Sequence, residues 1–278
     1  MSNTTERILR YYAPQPGKEW KRLAGPDTGP IEFELTTRQL SAYLKPGSRV
    51  LDIGGGPGRY TLWLAAAGHR PILADLVPQL LVEARNHLAE MGLLESVEEV
   101  IEADVCNLRR WDAASFDAAL CLGPFYHLPE PERRDRAAAE LARIIRPEGL
   151  LFAAFMPRLG FLKRTIAVRE EWGHWEDRDF LNNILEHGAF YNDNPGRFDA
   201  GYGARPEEIG PFFESHGFAT EALLAAEGFA PPVSAELEAM RDANPAAFAA
   251  ALDTLEATAA EPSILGAANH LLYIGRRV

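Results

Sequence analysis

Between Arg49 and Phe155 short apolar runs alternate with stretches whose apolar residues recur every three or four positions. Arg49-Val50-Leu51-Asp52-Ile53 reads as a buried strand, and Tyr60 to Ala67 as a helix that Gly68 stops. Pro71 to Asp75 is a second strand. Leu81, Ala84, Leu88 and Met91 share one face of the next helix, which Pro78 opens and Gly92 ends. Val97 to Glu102, Phe116 to Leu122 and Gly149 to Phe155 supply three more strands, with a helix over Pro131 to Ile145 before the last. This β-α-β alternation predicts an α/β fold with a doubly wound, mostly parallel sheet and right-handed crossovers.

Beyond Phe155 the pattern changes. Residues 157–205 hold Trp172, Trp175, Tyr191 and Tyr202 and the turn signal Asn192-Asp193-Asn194-Pro195-Gly196, too long and aromatic for a plain connection. Alternation resumes with a helix near Pro206 to His216, a strand over Phe218 to Leu224, a helix from Ser234 to about Ala260 that Pro245 interrupts, and a closing strand from His270 to Gly275. Tyr11, Tyr12, Trp20 and a helix over Glu32 to Leu44 precede the first strand. The expectation is a single domain of seven strands, the last antiparallel. It divides into an N-terminal cap at 1–45, a ligand-binding core at 46–155, an inserted helical and aromatic lid at 156–205, and a C-terminal part at 206–278 with a helical insertion at about 234–260.

Composition narrows the function. Apolar residues make up 47% of the 278 and charged residues 24%, so a packed core is expected. The net charge of -12 opposes a nucleic acid partner, whose phosphates must be neutralised by Lys and Arg, and the one dense basic cluster, Arg133, Arg134 and Arg136, lies on the outer face of a predicted helix. The polar opening Met1 to Arg7 leads to no apolar run long enough for a signal peptide or membrane span, which points to a cytoplasmic protein without a membrane partner. Cys106 and Cys121 suit reduced, partly buried thiols, and no CxxC spacing is present.

The first strand runs straight into Gly54-Gly55-Gly56-Pro57-Gly58 and then a helix, the place where open α/β sheets bind ligands. A dinucleotide fold wants G-x-G-x-x-G, whose third glycine would fall at Arg59; the spacing here is G-x-G-x-G. With Asp52 before it, this turn resembles the first motif of class I S-adenosylmethionine (SAM) dependent methyltransferases. The resemblance continues in order through Asp75, Asp104-Val105, the strand end Leu120 to Gly123, and Arg143 to Leu150, where Glu148 replaces the family's usual glycine. It implies a SAM cofactor held by Asp52, Gly54, Gly56 and Gly58 around the amino acid moiety, by Asp75 with Leu76 at the ribose, by Asp104 and Val105 at the adenine, and by Leu122 near the methionine part. The tail Glu261 to His270 resembles that of a group of bacterial small-molecule methyltransferases.

At the fourth strand end Gly123-Pro124-Phe125-Tyr126-His127-Leu128 lacks the Asn/Asp-Pro-Pro-Tyr-like tetrapeptide of methylases acting on nucleobase or glutamine nitrogen. His127 is the first candidate for a catalytic base, because that strand end faces the transferred methyl in the family, and His270 is the second; a lone histidine at either place also has a purely structural reading. Tyr12, Trp20, Arg22, Tyr126, Tyr191 and Tyr202 are candidates for the acceptor pocket, which is expected to be apolar with a few placed polar groups; Arg197 and Arg205 are further candidates to clamp a carboxylate. A divalent metal on His127, His187 and His270 would need the lid to fold over the pocket, and no ligand spacing supports it. The expected reaction is methyl transfer to an oxygen, carbon or nitrogen of a small metabolite, with the β-carbon of a 2-oxo acid as one alternative. A nicotinamide-dependent oxidoreductase and a SAM-binding regulator without catalysis remain open.

Overall fold

A computed structural model describes residues 4–13, 17–24, 29–192 and 200–278, with the backbone alone at 22–24. Five parallel strands run in the order β3 (Glu99–Glu102), β2 (Arg70–Asp75), β1 (Arg49–Ile53), β4 (Phe116–Cys121), β5 (Ile145–Pro157). Two more continue the sheet: β9 (Leu271–Arg277) is antiparallel to β5, and β8 (Phe218–Ala225) is antiparallel to β9. These are the seven expected strands. The segment expected to be a lid adds two short ones, β6 (Ala189–Tyr191) paired antiparallel with β7 (Ala200–Ala204). Strand β7 continues the sheet in parallel from the far end of β5, where Met156 faces Gly203 and Pro157 faces Ala204.

Side chains alternate between the two faces, as the pleat requires. Leu51 and Ile53 of β1, Ala119 and Cys121 of β4, Leu151, Ala153 and Phe155 of β5, and Leu271 and Tyr273 of β9 pack against α6 (Pro131–Ile144) and α9 (Pro206–Glu214). Val50, Ala118, Leu120, Leu150, Phe152, Leu272 and Ile274 face α3 (Gly29–Tyr43) and α4 (Arg59–Ala66). Helix α5 (Pro78–Glu90) covers β2 through Leu81 and Ala84. Ahead of α3 lie α1 (Thr4–Tyr12) and α2 (Lys18–Ala24), in the segment expected to form a cap. Between β5 and β6 lie α7 (Arg158–Ala167), a 3-10 helix at Arg169–Trp175 and α8 (Arg178–His187). Pro245 does divide the C-terminal helix: α10 (Ser234–Ala243) stops at Asn244, whose side chain accepts the Ala247 N–H and caps α11 (Pro245–Ala257) before the short α12 (Pro262–Ala267). No described helix is long and apolar enough to cross a membrane.

Two differences from expectation matter for the site. Strand β5 starts at Ile145, which pairs with Phe116; Arg146 to Gly149 then bulge out of register, with Glu148 at a left-handed φ of 64°, before Leu150 resumes the pairing opposite Ala118. His270 precedes β9, so its side chain is set by the loop that enters the strand. A column of buried rings lies under the β4 exit: Phe125 stacks on Phe155 at 5.1 Å between centroids, and Phe213 on Tyr273 at 4.3 Å. Phe125 thereby anchors the 3-10 turn Pro124–His127, whose other side forms part of a cavity wall.

Candidate active site

The order 3-2-1-4-5 reverses winding between β1 and β4, and there the loops leaving the two strands diverge and open a crevice. The glycine turn is fastened to β2 by its own backbone. Gly54 and Gly55 N–H donate to the Ala74 carbonyl at 2.8 and 3.3 Å, and Gly56 N–H to Asp75 Oδ2 at 2.8 Å. Gly54 has φ +74°, and a Cβ there would lie 2.6 Å from Pro124 Cγ, so the turn and the β4 exit approach through this one residue. Asp75 accepts the Val77 N–H on its other oxygen at 2.8 Å. Asp52 is 1% exposed, and its Oδ2 accepts the Thr61 hydroxyl at 2.6 Å. Burial pushes Asp52 up to about 7, aided by the nearby Asp75 charge, against the pull of the Thr61 hydrogen bond. Burial likewise raises Asp75 to about 6, moderated by the N–H groups of Val77 and Gly56.

From this turn extends an open cavity of about 1070 Å³, counting the solvent at its mouth. Asp104 and Val105 line it beyond β3. Asp104 accepts the Cys106 N–H and pairs with Arg133 at 3.1 Å. Glu19, Glu32, Asp52, Asp75 and Asp104 face Arg59 and Arg133 around the wall, an acidic excess that favours a cationic occupant.

At the other end two histidines line the wall, each held by a different partner. The Tyr12 hydroxyl meets His127 Nε2 at 2.9 Å, with the rings edge to face at 5.4 Å. His270 Nδ1 lies 2.6 Å from Glu227 Oε1 and 3.6 Å from Glu32 Oε2. Tyr126 stands between them, its ring centroid 5.0 Å from that of His127 and 6.4 Å from that of His270. Its hydroxyl donates to the Leu122 carbonyl at 3.3 Å. A cluster of Glu32, Glu227 and His270 ligand atoms lies within 4.8 Å.

Residues 50–149 match the family model described as a methyltransferase domain. The stretch that carries the glycine turn, Asp75 and Asp104 is thus a methyltransferase domain. Over 130 residues it is 36% identical to the ubiquinone biosynthesis O-methyltransferase of Xanthomonas axonopodis pv. citri, covering 46% of this chain and 50% of that one. The chain thus spans about half the length of the curated relatives it matches. Among solved structures, the PH0226 protein of Pyrococcus horikoshii OT3 superposes with a TM-score of 0.59 at 16% identity, over 94% of this chain and 99% of that one. The 1,6-didemethyltoxoflavin-N1-methyltransferase of Burkholderia thailandensis does so at 0.56 and 15%, over 99% of this chain and 87% of that one. At such identities the two structures speak for the fold alone.

Asp52, Gly54, Gly56, Asp75, Leu76, Asp104, Val105 and Leu122 all line the cavity, as do Tyr12, Tyr126, His127 and His270. Several expectations need correction. Gly58 lies off the wall: it begins α4 with φ +86° and packs against Ala84 of α5, so it serves helix packing. Trp20 packs against His87 with ring centroids 3.8 Å apart and planes tilted by 31°, and it does not line the cavity. Tyr191 is 44% exposed. Tyr202 is buried under the Arg134 guanidinium, 3.6 Å from its ring, in a separate depression behind the β5 end. His187 is an exposed residue at the end of α8, away from the other two histidines, and the carboxylates Glu32 and Glu227 stand where the three-histidine cluster was expected. Arg205 bonds the Leu185 carbonyl; the Arg22 side chain and Arg197 lie outside the described residues. The sequence reading passed over Glu19, Glu32, Arg59 and Glu227. A signal for the last existed in Ala225-Ala226-Glu227-Gly228, an acid in an apolar run after a strand.

Proposed function

We propose that the chain transfers the methyl group of SAM to a nucleophilic oxygen of a small molecule. The transfer is an in-line displacement, so its rate depends on holding oxygen, methyl carbon and sulfur aligned away from water. In this reading Asp75 with Leu76 receives the ribose, and Asp104 with Val105 the adenine. Leu122 and the Asp52 to Gly56 turn receive the methionine part, with the carboxylates complementing its ammonium and sulfonium charges. His127 and His270 flank the acceptor. The observation that carries the reading is that one cavity joins the glycine turn to two histidines, each oriented by a polar partner. Oxygen as the acceptor atom is supported by the O-methyltransferase relatives. The acidic wall and the net charge of -12 disfavour nucleic acid.

The test is incubation with methyl-labelled SAM and a small-molecule extract. Label should appear in a low-mass product, with S-adenosylhomocysteine formed in equal amount. Tight SAM binding without any transfer would instead identify a non-catalytic SAM-binding regulator. The Glu32, Glu227 and His270 cluster favours a second reading, in which a divalent cation there assists enolisation of a 2-oxo acid before methylation at its β-carbon. That reading requires turnover to stop on chelation and to return with added metal.

A further inference from the structure

We propose that Glu227 is the positioning residue of a proton-accepting pair with His270, and that the acceptor is accordingly a hydroxyl that loses its proton during transfer. This rests on the methyl-transfer reading above. Glu227 is 0% exposed, a costly place for a carboxylate unless strong partners hold it. Both of its oxygens bond to His270: Oε2 accepts the backbone N–H at 3.2 Å and Oε1 meets imidazole Nδ1 at 2.6 Å. The connection is reinforced where Ala226 N–H donates to the His270 carbonyl at 2.9 Å. Gly228, with φ +57°, folds the following chain tightly against Leu255. The histidine is therefore fixed twice, at its main chain and at its ring.

A carboxylate on Nδ1 selects the tautomer with the proton on that nitrogen, which places the basic lone pair on Nε2. Such a partner also stabilises the imidazolium formed when Nε2 takes a proton. Glu32, 3.6 Å from Nδ1 on the α3 side, adds a second negative charge in support. At His127 the Tyr12 hydroxyl at Nε2 is a neutral partner, in contrast to the Glu227 carboxylate at His270. In the transfer step an oxygen lone pair of the acceptor forms the new O–C bond. The C–S bond breaks with its electrons left on sulfur, giving neutral S-adenosylhomocysteine. The hydroxyl proton passes to His270 Nε2 and later to solvent. No oxidant or further reactant is needed.

The purified full chain can be tested with SAM and two probe acceptors, catechol and the more acidic 4-nitrocatechol. Glu227→Gln should lower kcat for catechol about 100-fold, in the range of general-base contributions. The loss should be only about fivefold for 4-nitrocatechol, whose hydroxyl ionises without help, with KM for SAM unchanged. Glu227→Asp should recover part of the catechol rate. An equal loss with both probes would mark Glu227 as merely structural, and inhibition by chelator with recovery on adding a divalent cation would make the three groups ligands; either overturns the proposal. Nitrogen-15 NMR of the His270 ring reads the pair without turnover. Protonation at Nδ1 in the native chain, and mixed tautomers in Glu227→Gln, are expected; protonation at Nε2 in the native chain overturns the pair. Label transfer to neither probe nor any extract component, with the Nδ1 proton present, would instead overturn the methyl-transfer reading and leave the pair a structural one.

Discussion

The end of the cavity proposed for the cofactor and the end proposed for the acceptor are built in different ways. At the cofactor end, residues 52–56, 75–77 and 103–105 sit at the tips of three adjacent parallel strands, and main-chain N–H groups tie them to one another. The acceptor end draws Tyr12, Glu32, His127, Glu227 and His270 from five separate places in the chain, and side-chain bonds hold them. Strand order fixes the first almost independently of surface loops, while the second depends on the cap and on the loops around β8 and β9. One core can thus keep its donor while its acceptor changes, which is how a single fold supports many reactions.

The sharpest way to break this contrast is Gly54→Val. A β-branched residue at φ +74°, with its Cβ 2.6 Å from Pro124, has to move either the turn or the β4 exit. Calorimetry should show SAM affinity reduced about 100-fold or more, since such strain and overlap together amount to several kcal/mol. Unchanged affinity would mean the backbone cradle is not what holds the donor. His270→Ala should do the reverse: turnover should fall about 100-fold while the SAM dissociation constant stays within about twofold, because the residue acts on the acceptor alone. Equal losses in binding and turnover would erase the division between the two ends.

The contrast also governs what the amino-acid sequence discloses. The cofactor end is legible because its parts lie close in the chain and follow strand tips, so the period of the apolar pattern and the spacing to Arg59 suffice. Strand β5 began earlier than expected because Ile145 pairs with Phe116 ahead of a bulge over Arg146 to Gly149, whose composition is that of a turn. Ala200-Gly201-Tyr202-Gly203-Ala204 has weak strand propensity; the exposed edge at Met156 and Pro157 recruits it. Glu227 could not be matched to His270, 43 positions away, without the β8–β9 pairing that brings them together. Tyr202 was misplaced because an aromatic residue on a lid serves packing as readily as a pocket, and Arg134 covers it.

A smaller effect follows from the two acids of the cofactor end. Both carboxyls titrate above their ordinary 3.8, Asp75 at about 6 and Asp52 at about 7, so the folded chain holds protons that the unfolded chain has already released between pH 4 and 7. Their contribution to stability is therefore present below about pH 4 and is lost as pH rises through 6 to 7. A bound cation reverses the balance by favouring the ionised forms. SAM affinity should rise about fivefold to tenfold from pH 5.5 to 7.5, and the thermal shift it produces should grow in parallel. Asp52→Asn should flatten the upper part of that rise. A pH-independent affinity would place both acids away from the donor's charge.

The smallest expected effect tests whether the cap belongs to the cofactor end or to the acceptor end. Trp20 lies outside the cavity but packs against His87, whose Nδ1 is 3.2 Å from the Pro57 carbonyl in the glycine turn. Its neighbour Glu19 lines the cavity, and Gly17 N–H donates to Glu83 of α5 at 2.9 Å. On the other side Tyr12 binds His127. Tyr12 and residues 17–20 thus bridge the two ends, with Trp20 on the donor's side and Tyr12 on the acceptor's. Trp20→Ala should speed SAM dissociation about threefold, the loss of roughly 0.6 kcal/mol expected of one aromatic pair, without altering the ranking of acceptors. Tyr12→Phe should leave SAM dissociation unchanged and shift KM for the acceptor by a similar factor, as loss of one partly exposed hydrogen bond implies. Stopped-flow release of SAM and steady-state kinetics on both variants separate the two contributions, and identical profiles for the pair would show that the cap moves as one unit.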